Sequence, residues 1–167
     1  MERNLTQRLL GVKMVVLDVD GVLTDGRIMK TESGEEILAF DVKDGMGISR
    51  LKKAGIEVAI LSARSSGAVI ARAKELGIER VYLGQKEKGP SVEYLAGEAN
   101  IDMDSVAYIG DDLADIEAMR KVGLPVAVAD AASEVKELAA MVLEASGGRG
   151  AVRELAEAIL RCMNKWP

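Results

Sequence analysis

The sequence predicts an α/β fold built on a mostly parallel sheet with helices on both faces. Three observations lead there. Met14 to Leu17 is a continuous, β-prone apolar run, the pattern of a strand buried on both faces. Further β-rich runs recur between stretches whose apolar residues fall at helical spacing, and strands alternating with helices make a parallel sheet. Several of these runs end in carboxylates, hydroxyls or lysines, and ligands of open α/β sheets gather outside the carboxyl ends of strands.

Composition narrows the chemistry. The 167 residues, 49% apolar and 29% charged, suit one domain with a sizeable core, and no repeat or linker divides residues 1–167. A single cysteine, Cys162, allows neither an internal disulfide nor a multi-cysteine zinc site. The chain has no histidine, so imidazole ligands and histidine bases are excluded and catalysis falls to carboxylates, lysines and hydroxyls. A net charge of −5 argues against nonspecific nucleic-acid binding, and an anionic substrate then needs a local basic pocket. The early apolar run is too short for a signal segment or a membrane span, which makes a cytoplasmic protein with no membrane partner the expectation.

Taken in order, Met1 to Gly11 is a polar lead in which Leu5, Leu9 and Leu10 suggest a short helix packed on the sheet. After the strand at Met14, Arg27 to Met29 and Glu36 to Phe40 flank a polar turn, Thr31-Glu32-Ser33-Gly34, and predict a β-hairpin across about 26–41. Asp44-Gly45 reads as the cap of a helix through Ala54, and Ile56 to Leu61 as the second sheet strand. A helix from Gly67 to Leu76 should bury Val69, Ile70, Ala73 and Leu76 and end at Gly77. A strand at Arg80 to Leu83 precedes a helix opened by Gly89-Pro90, with Val92, Leu95, Ala96 and Ala99 as its buried stripe. Ser105 to Ile109 is the next strand. A helix from Leu113 to Val122, a strand at Leu124 to Val128, a helix from Ser133 to Ala139, a strand at Met141 to Leu143 and a helix from Ala151 complete the chain.

The chemistry gathers at four strand ends: Asp18 and Asp20, Ser62 and Arg64, Lys86 and Lys88, and Asp111, Asp112 and Asp115. Right-handed crossovers bring these ends to one edge of the sheet. Asp18 and Asp20 stand two apart in an extended chain and point the same way, so both can address one bound group. The combination is what phosphoryl transfer through an aspartyl phosphate requires. A carboxylate approaching a phosphate dianion meets repulsion of about 4 kcal/mol per pair of unit charges at ~4 Å and an effective dielectric of ~20. Mg²⁺ relieves this, because it takes one or two carboxylates together with phosphate oxygens, and Asp18 and Asp111 can supply them. Lys88, beside a helix N-terminus, is a better source of fixed positive charge than Lys86. Ser62 can hold phosphoryl oxygens, and Asp20 remains as the acid and base.

The segments D-V-D-G-V-L-T-D, L-S-A-R, Lys88 and G-D-D-L-A-D resemble the four motifs of the haloacid dehalogenase superfamily, and the second aspartate favours its phosphatase branch. More narrowly, G-E-E-I-L-A-F-D-V-K-D-G-M-G-I, V-G-L-P-V-A-V-A-D-A and G-G-R-G-A-V-R-E resemble the phosphatases of 3-deoxy-D-manno-octulosonate 8-phosphate (KDO 8-phosphate), from about Met14 to Glu154. The resemblance implies a Rossmann-like, capless fold, Mg²⁺ as cofactor, and a homotetramer whose hairpins cover neighbouring sites. It implies Asp18 as nucleophile and metal ligand, Asp20 as acid and base that also offers its backbone carbonyl to the metal, and Asp111 as ligand, supported by Asp112 or Asp115. It assigns Val42, Lys43, Asp44, Gly45, Arg64, Arg72 and Lys88 to the substrate pocket, and gives Arg149 to either the substrate or a subunit interface. The substrate implied is a phosphorylated 2-keto-3-deoxy sugar acid, most of all the eight-carbon acid of lipopolysaccharide synthesis. A nine-carbon sialic-type acid phosphate is the alternative, and a receiver-like or non-catalytic phosphate-accepting domain is the alternative of another class. Asp41, Ser49 and Ser62-Ala63 depart from the family pattern, and the first two bear on how a sugar acid's carboxylate is held.

Overall fold

The computed structural model describes residues 4–167. Met1 to Arg3, the start of the polar lead, lie outside the described residues. The lead is a helix, α1 (Leu5–Leu10), started by a capping box in which the Asn4 side chain and Gln7 satisfy each other's backbone amides. Leu9 is its buried residue, whereas Leu5 and Leu10 are exposed.

Among the described residues, eight strands follow in two sheets. The main sheet has six parallel strands in the order β5-β4-β1-β6-β7-β8, namely Arg80–Tyr82, Glu57–Leu61, Met14–Leu17, Val106–Gly110, Leu124–Ala127 and Met141–Val142. All four residues of β1 are fully buried, as the unbroken apolar run requires of a central strand. Strand numbers rise outward on both sides of β1, so the topology switches direction beside it, where a crevice opens. Leu17 pairs in register with Ile60 of β4 and Ile109 of β6. Asp18, Ser62 and Asp111 therefore leave the sheet at nearly one level.

The second sheet is the hairpin, β2 (Met29–Lys30) against β3 (Glu36–Ile37). It is shorter than the flanking runs suggested because it pairs with no strand of the main sheet. Helices α2 (Val42–Lys53) and α7 (Ala151–Cys162) pack together, with α1 against α7, and α4 (Lys88–Glu98), α5 (Ile116–Met119) and α6 (Ser133–Leu138) form a second group. The remaining helix, α3 (Gly67–Glu75), connects β4 to β5. Among the described residues, no helix is long and apolar enough to cross a membrane.

Three local expectations are corrected. The cap of α2 is Asp41, whose carboxylate accepts the amides of Lys43 and Asp44, so Asp44 lies inside the first turn. Ile70 is exposed although Val69 and Ala73 are buried, because it sits one step off their stripe. The segment after β6 begins with a tight turn at Leu113–Asp115 before α5, since Asp112 and Asp115 cap each other's backbone and tighten the first turn.

Candidate active site

The acids at the end of β1 occupy a bend forced by close packing. Gly21 has φ 88°, and a side chain there would place its Cβ 1.9 Å from Asp111 Oδ2. Only glycine lets the Asp111 carboxylate press against this turn. The Gly147 to Gly150 loop seats on the same turn: the Gly148 amide donates to the Val22 carbonyl at 2.8 Å, and a Cβ at Gly147 would come within 1.7 Å of the Gly21 carbonyl oxygen. Asp130, beyond β7, accepts the Gly147 amide at 3.0 Å and holds that loop.

A cleft of about 260 Å³ opens here, lined by Asp18, Asp20, Ser62, Arg64, Lys88, Asp111, Asp112 and Asp115, with Gly26, Ala63 and Ala114. Its centre is a buried ion cluster. Lys88 Nζ, at the first turn of α4, donates at 2.7 Å both to Asp18 Oδ1 and to Asp115 Oδ1. Asp115 Oδ1 also accepts the Tyr108 hydroxyl at 2.6 Å, and Asp115 Oδ2 accepts the amides of Asp111 and Asp112 at 2.9 and 3.2 Å. An ionised carboxylate has about four acceptor sites, so Asp115 is saturated by these donors. Asp112 instead turns its carboxylate to the Leu113 amide. Asp115 is thus the residue that positions Lys88 and the Asp111 backbone.

One carboxylate oxygen from each of Asp18, Asp111 and Asp115 lies within 4.8 Å of the others. Burial, then repulsion from Asp115, raises the Asp18 carboxyl from an ordinary 3.8 to about 6, despite Lys88. Burial, then Asp18 and Asp115, raises Asp111 to about 8. Crowded, half-desolvated oxygen donors of this kind suit a hard divalent cation, and because the acceptor sites of Asp115 are filled, Asp18 and Asp111 are the carboxylates left to hold it.

The loops around the cluster are stitched together. Ser62, at the end of β4, accepts the Arg64 amide on its hydroxyl at 3.2 Å and the Gln85 amide on its carbonyl at 2.9 Å. The loop that delivers Lys88 is thereby fixed to the loop that delivers Ser62. Arg64 Nε lies 3.8 Å from Asp20 Oδ2, and its NH2 group pairs with Glu36 of the hairpin. The Ser66 hydroxyl, and then Arg64, hold the Glu36 carboxyl below its ordinary range.

Other expected site residues do not line the cleft. Lys43 is exposed beside the Asp41 cap. Asp44 is buried, and its Oδ1 accepts the Arg153 amide at 2.9 Å, so it caps α7, whose own Gly150 has no side chain to do so. Gly45 packs under Arg72, which donates to the Asp41 carbonyl at 3.3 Å and pairs with Glu75 at 2.8 Å. Arg149 is 68% exposed and reaches Asp25 at 3.9 Å. Sequence reading missed Tyr108 and Glu36. Tyr108 carries a signal, because a phenol in the middle of a buried strand needs a buried acceptor.

Comparisons with known proteins show what the whole chain is similar to. A family model of haloacid dehalogenase-like hydrolases matches residues 80–155. The 3-deoxy-D-manno-octulosonate 8-phosphate phosphatase of Haemophilus influenzae is 43% identical over 159 residues, 95% of this chain and 88% of that protein. Its counterpart from Escherichia coli K12 is 44% identical over 154 residues, 92% of this chain and 82% of that protein. The crystal structure of the Moraxella catarrhalis phosphatase of that name, in complex with magnesium ion, phosphate ion and a KDO molecule, superimposes with a TM-score of 0.93 at 40% identity, covering 95% of this chain and 91% of that one.

Proposed function

Because this chain belongs to the haloacid dehalogenase-like hydrolases, in the family of the 3-deoxy-D-manno-octulosonate 8-phosphate phosphatases, and is therefore a phosphoric monoester hydrolase, we propose that it releases inorganic phosphate from that eight-carbon sugar acid phosphate with Mg²⁺ as cofactor. The observation that carries the reading is the Lys88 ammonium clamped between Asp18 and Asp115, with Asp111 alongside, at the switch point of the sheet. The residues fit a bound metal. Asp18, Asp111 and the Asp20 backbone carbonyl would hold Mg²⁺, which supplies positive charge against the repulsion between carboxylate and phosphate dianion.

The chain's own groups then divide the work. The Asp18 carboxylate attacks phosphorus, forming an aspartyl phosphate as the bond from phosphorus to the sugar oxygen breaks. Lys88 fixes the orientation of Asp18 by holding Oδ1, and contributes a cation that burial keeps from being screened. The Ser62 hydroxyl and neighbouring amides bind phosphoryl oxygens. Asp20 gives its proton to the leaving alkoxide and then takes one from the water that attacks the acyl phosphate. Domain and assembly are read in the same way: one domain, without a cap, assembled as a homotetramer. Exposed apolar residues on and beside the hairpin, Met29, Ile37, Val42 and Met46, support that assembly.

A panel of sugar phosphates tests the proposal, run with Mg²⁺ and with chelator while light scattering reports mass. The expected result is phosphate release favouring the eight-carbon acid phosphate, lost on chelation and restored by Mg²⁺, at a mass of four chains. Indifference to chelator, or preference for a phosphate with no sugar acid, would contradict it.

A further inference from the structure

Among the described residues, five carboxylates line the cleft, from Asp18, Asp20, Asp111, Asp112 and Asp115, against two cations. Lys88 is consumed by Asp18 and Asp115. Arg64 is the other, and it already holds a carboxylate, that of Glu36, while its Nε faces Asp20 at 3.8 Å. Glu36 is the hairpin group that reaches Arg64 from outside the cleft lining. Its side chain is 16% exposed, whereas its neighbours Met29 and Ile37 are 51% exposed. Within one protomer the hairpin has two residues per strand and no pairing to the main sheet.

We propose that Glu36 is a specificity-determining residue: its carboxylate occupies, on Arg64, the place that a substrate's own carboxylate takes, so the hairpin is a latch displaced by phosphate esters that carry a second acid group. The inference deepens the phosphatase reading and rests on it. The physical basis is competition between two carboxylates for one guanidinium fork. A latched site binds an acid more weakly by the fraction of molecules in which Arg64 is free. The pair is partly exposed, Arg64 by 36%, so it is weak enough to be exchanged for a ligand. A neutral phosphate ester has nothing to offer Arg64 and gains nothing from release of the latch.

Glu36→Gln keeps the shape and removes the charge. In this variant the KM for the eight-carbon acid phosphate is expected to fall about five- to tenfold, with kcat unchanged and the KM for p-nitrophenyl phosphate unchanged. Glu36→Ala should reproduce the fall. A rise in KM for the acid would overturn the latch, as would an equal fall for both substrates, which marks a steric gate. Calorimetric titration of the unphosphorylated sugar acid reads the latch without turnover: Glu36→Gln should bind it about five- to tenfold more tightly than the parent chain. Equal binding, or none, overturns the inference even where phosphatase activity is intact. A parent chain that binds the acid but hydrolyses no phosphate ester would instead sink the phosphatase reading.

Discussion

Asparagine at position 18 is expected to lower phosphate release by at least roughly 10³-fold, the scale of losing a covalent nucleophile, while the fold survives. An amide oxygen is a poor nucleophile and a weak ligand for a hard cation. It can still accept the Lys88 ammonium in the place where Asp18 Oδ1 accepts it at 2.7 Å, so the ion cluster keeps its shape. Thermal unfolding within a few degrees of the parent chain, with phosphate release gone, is the combined signature. A variant retaining full turnover would remove Asp18 from the chemistry.

Lys88→Met is expected to be the most damaging substitution for stability. Lys88 is 3% exposed and compensates Asp18 and Asp115, both buried. Removing one partner of a buried ion pair costs about 3–5 kcal/mol, because charge is left without a counter-charge. At roughly 2–4 °C per kcal/mol for a chain of this size, Tm should fall by about 10 °C in metal-free buffer. The sign of the pH dependence follows from the acids that Lys88 serves. Of these, Asp18 has a folded value raised from 3.8 to about 6, with Lys88 holding it below what burial alone would give. Its stabilising contribution is complete below the unfolded value and is lost as pH rises through the folded value. Without Lys88 the ionised form of Asp18 is costlier still, so the deficit should widen from pH 5 to pH 8. Melts across that range check it, and a deficit that narrows with pH would show that Lys88 does not act by charge compensation.

What could be read from the sequence followed from residues whose neighbours in the chain set their environment. Met14 to Leu17 announced a central strand because burial on both faces leaves no room for polar alternation, and Asp18 and Asp20 came with it. Lys88 could be separated from Lys86 because Gly89-Pro90 marks a helix start, and Lys88 is the one in the cluster, while Lys86 does not line the cleft. The misassigned features depend on contacts between distant segments. Asp44, expected to start its own helix, instead caps α7, more than a hundred residues later. Asp41 departs from the family pattern at the position that caps α2, a job an aspartate does well. The Glu36 pairing with Arg64 and the Tyr108 bond to Asp115 join a hairpin to a strand end and a strand to a turn, and no periodicity encodes such meetings.

The central claim is that phosphate passes through Asp18, and the Asp20→Asn variant exposes it, because slow hydrolysis of the acyl phosphate lets the intermediate accumulate. The variant, mixed with an activated phosphate ester and Mg²⁺, quenched in acid and digested, can be mapped by mass spectrometry. The account predicts one phosphoryl group on the peptide carrying Asp18. A phosphoryl group on Ser62, Asp111 or any other residue, or a burst of free phosphate with no labelled peptide, would contradict it.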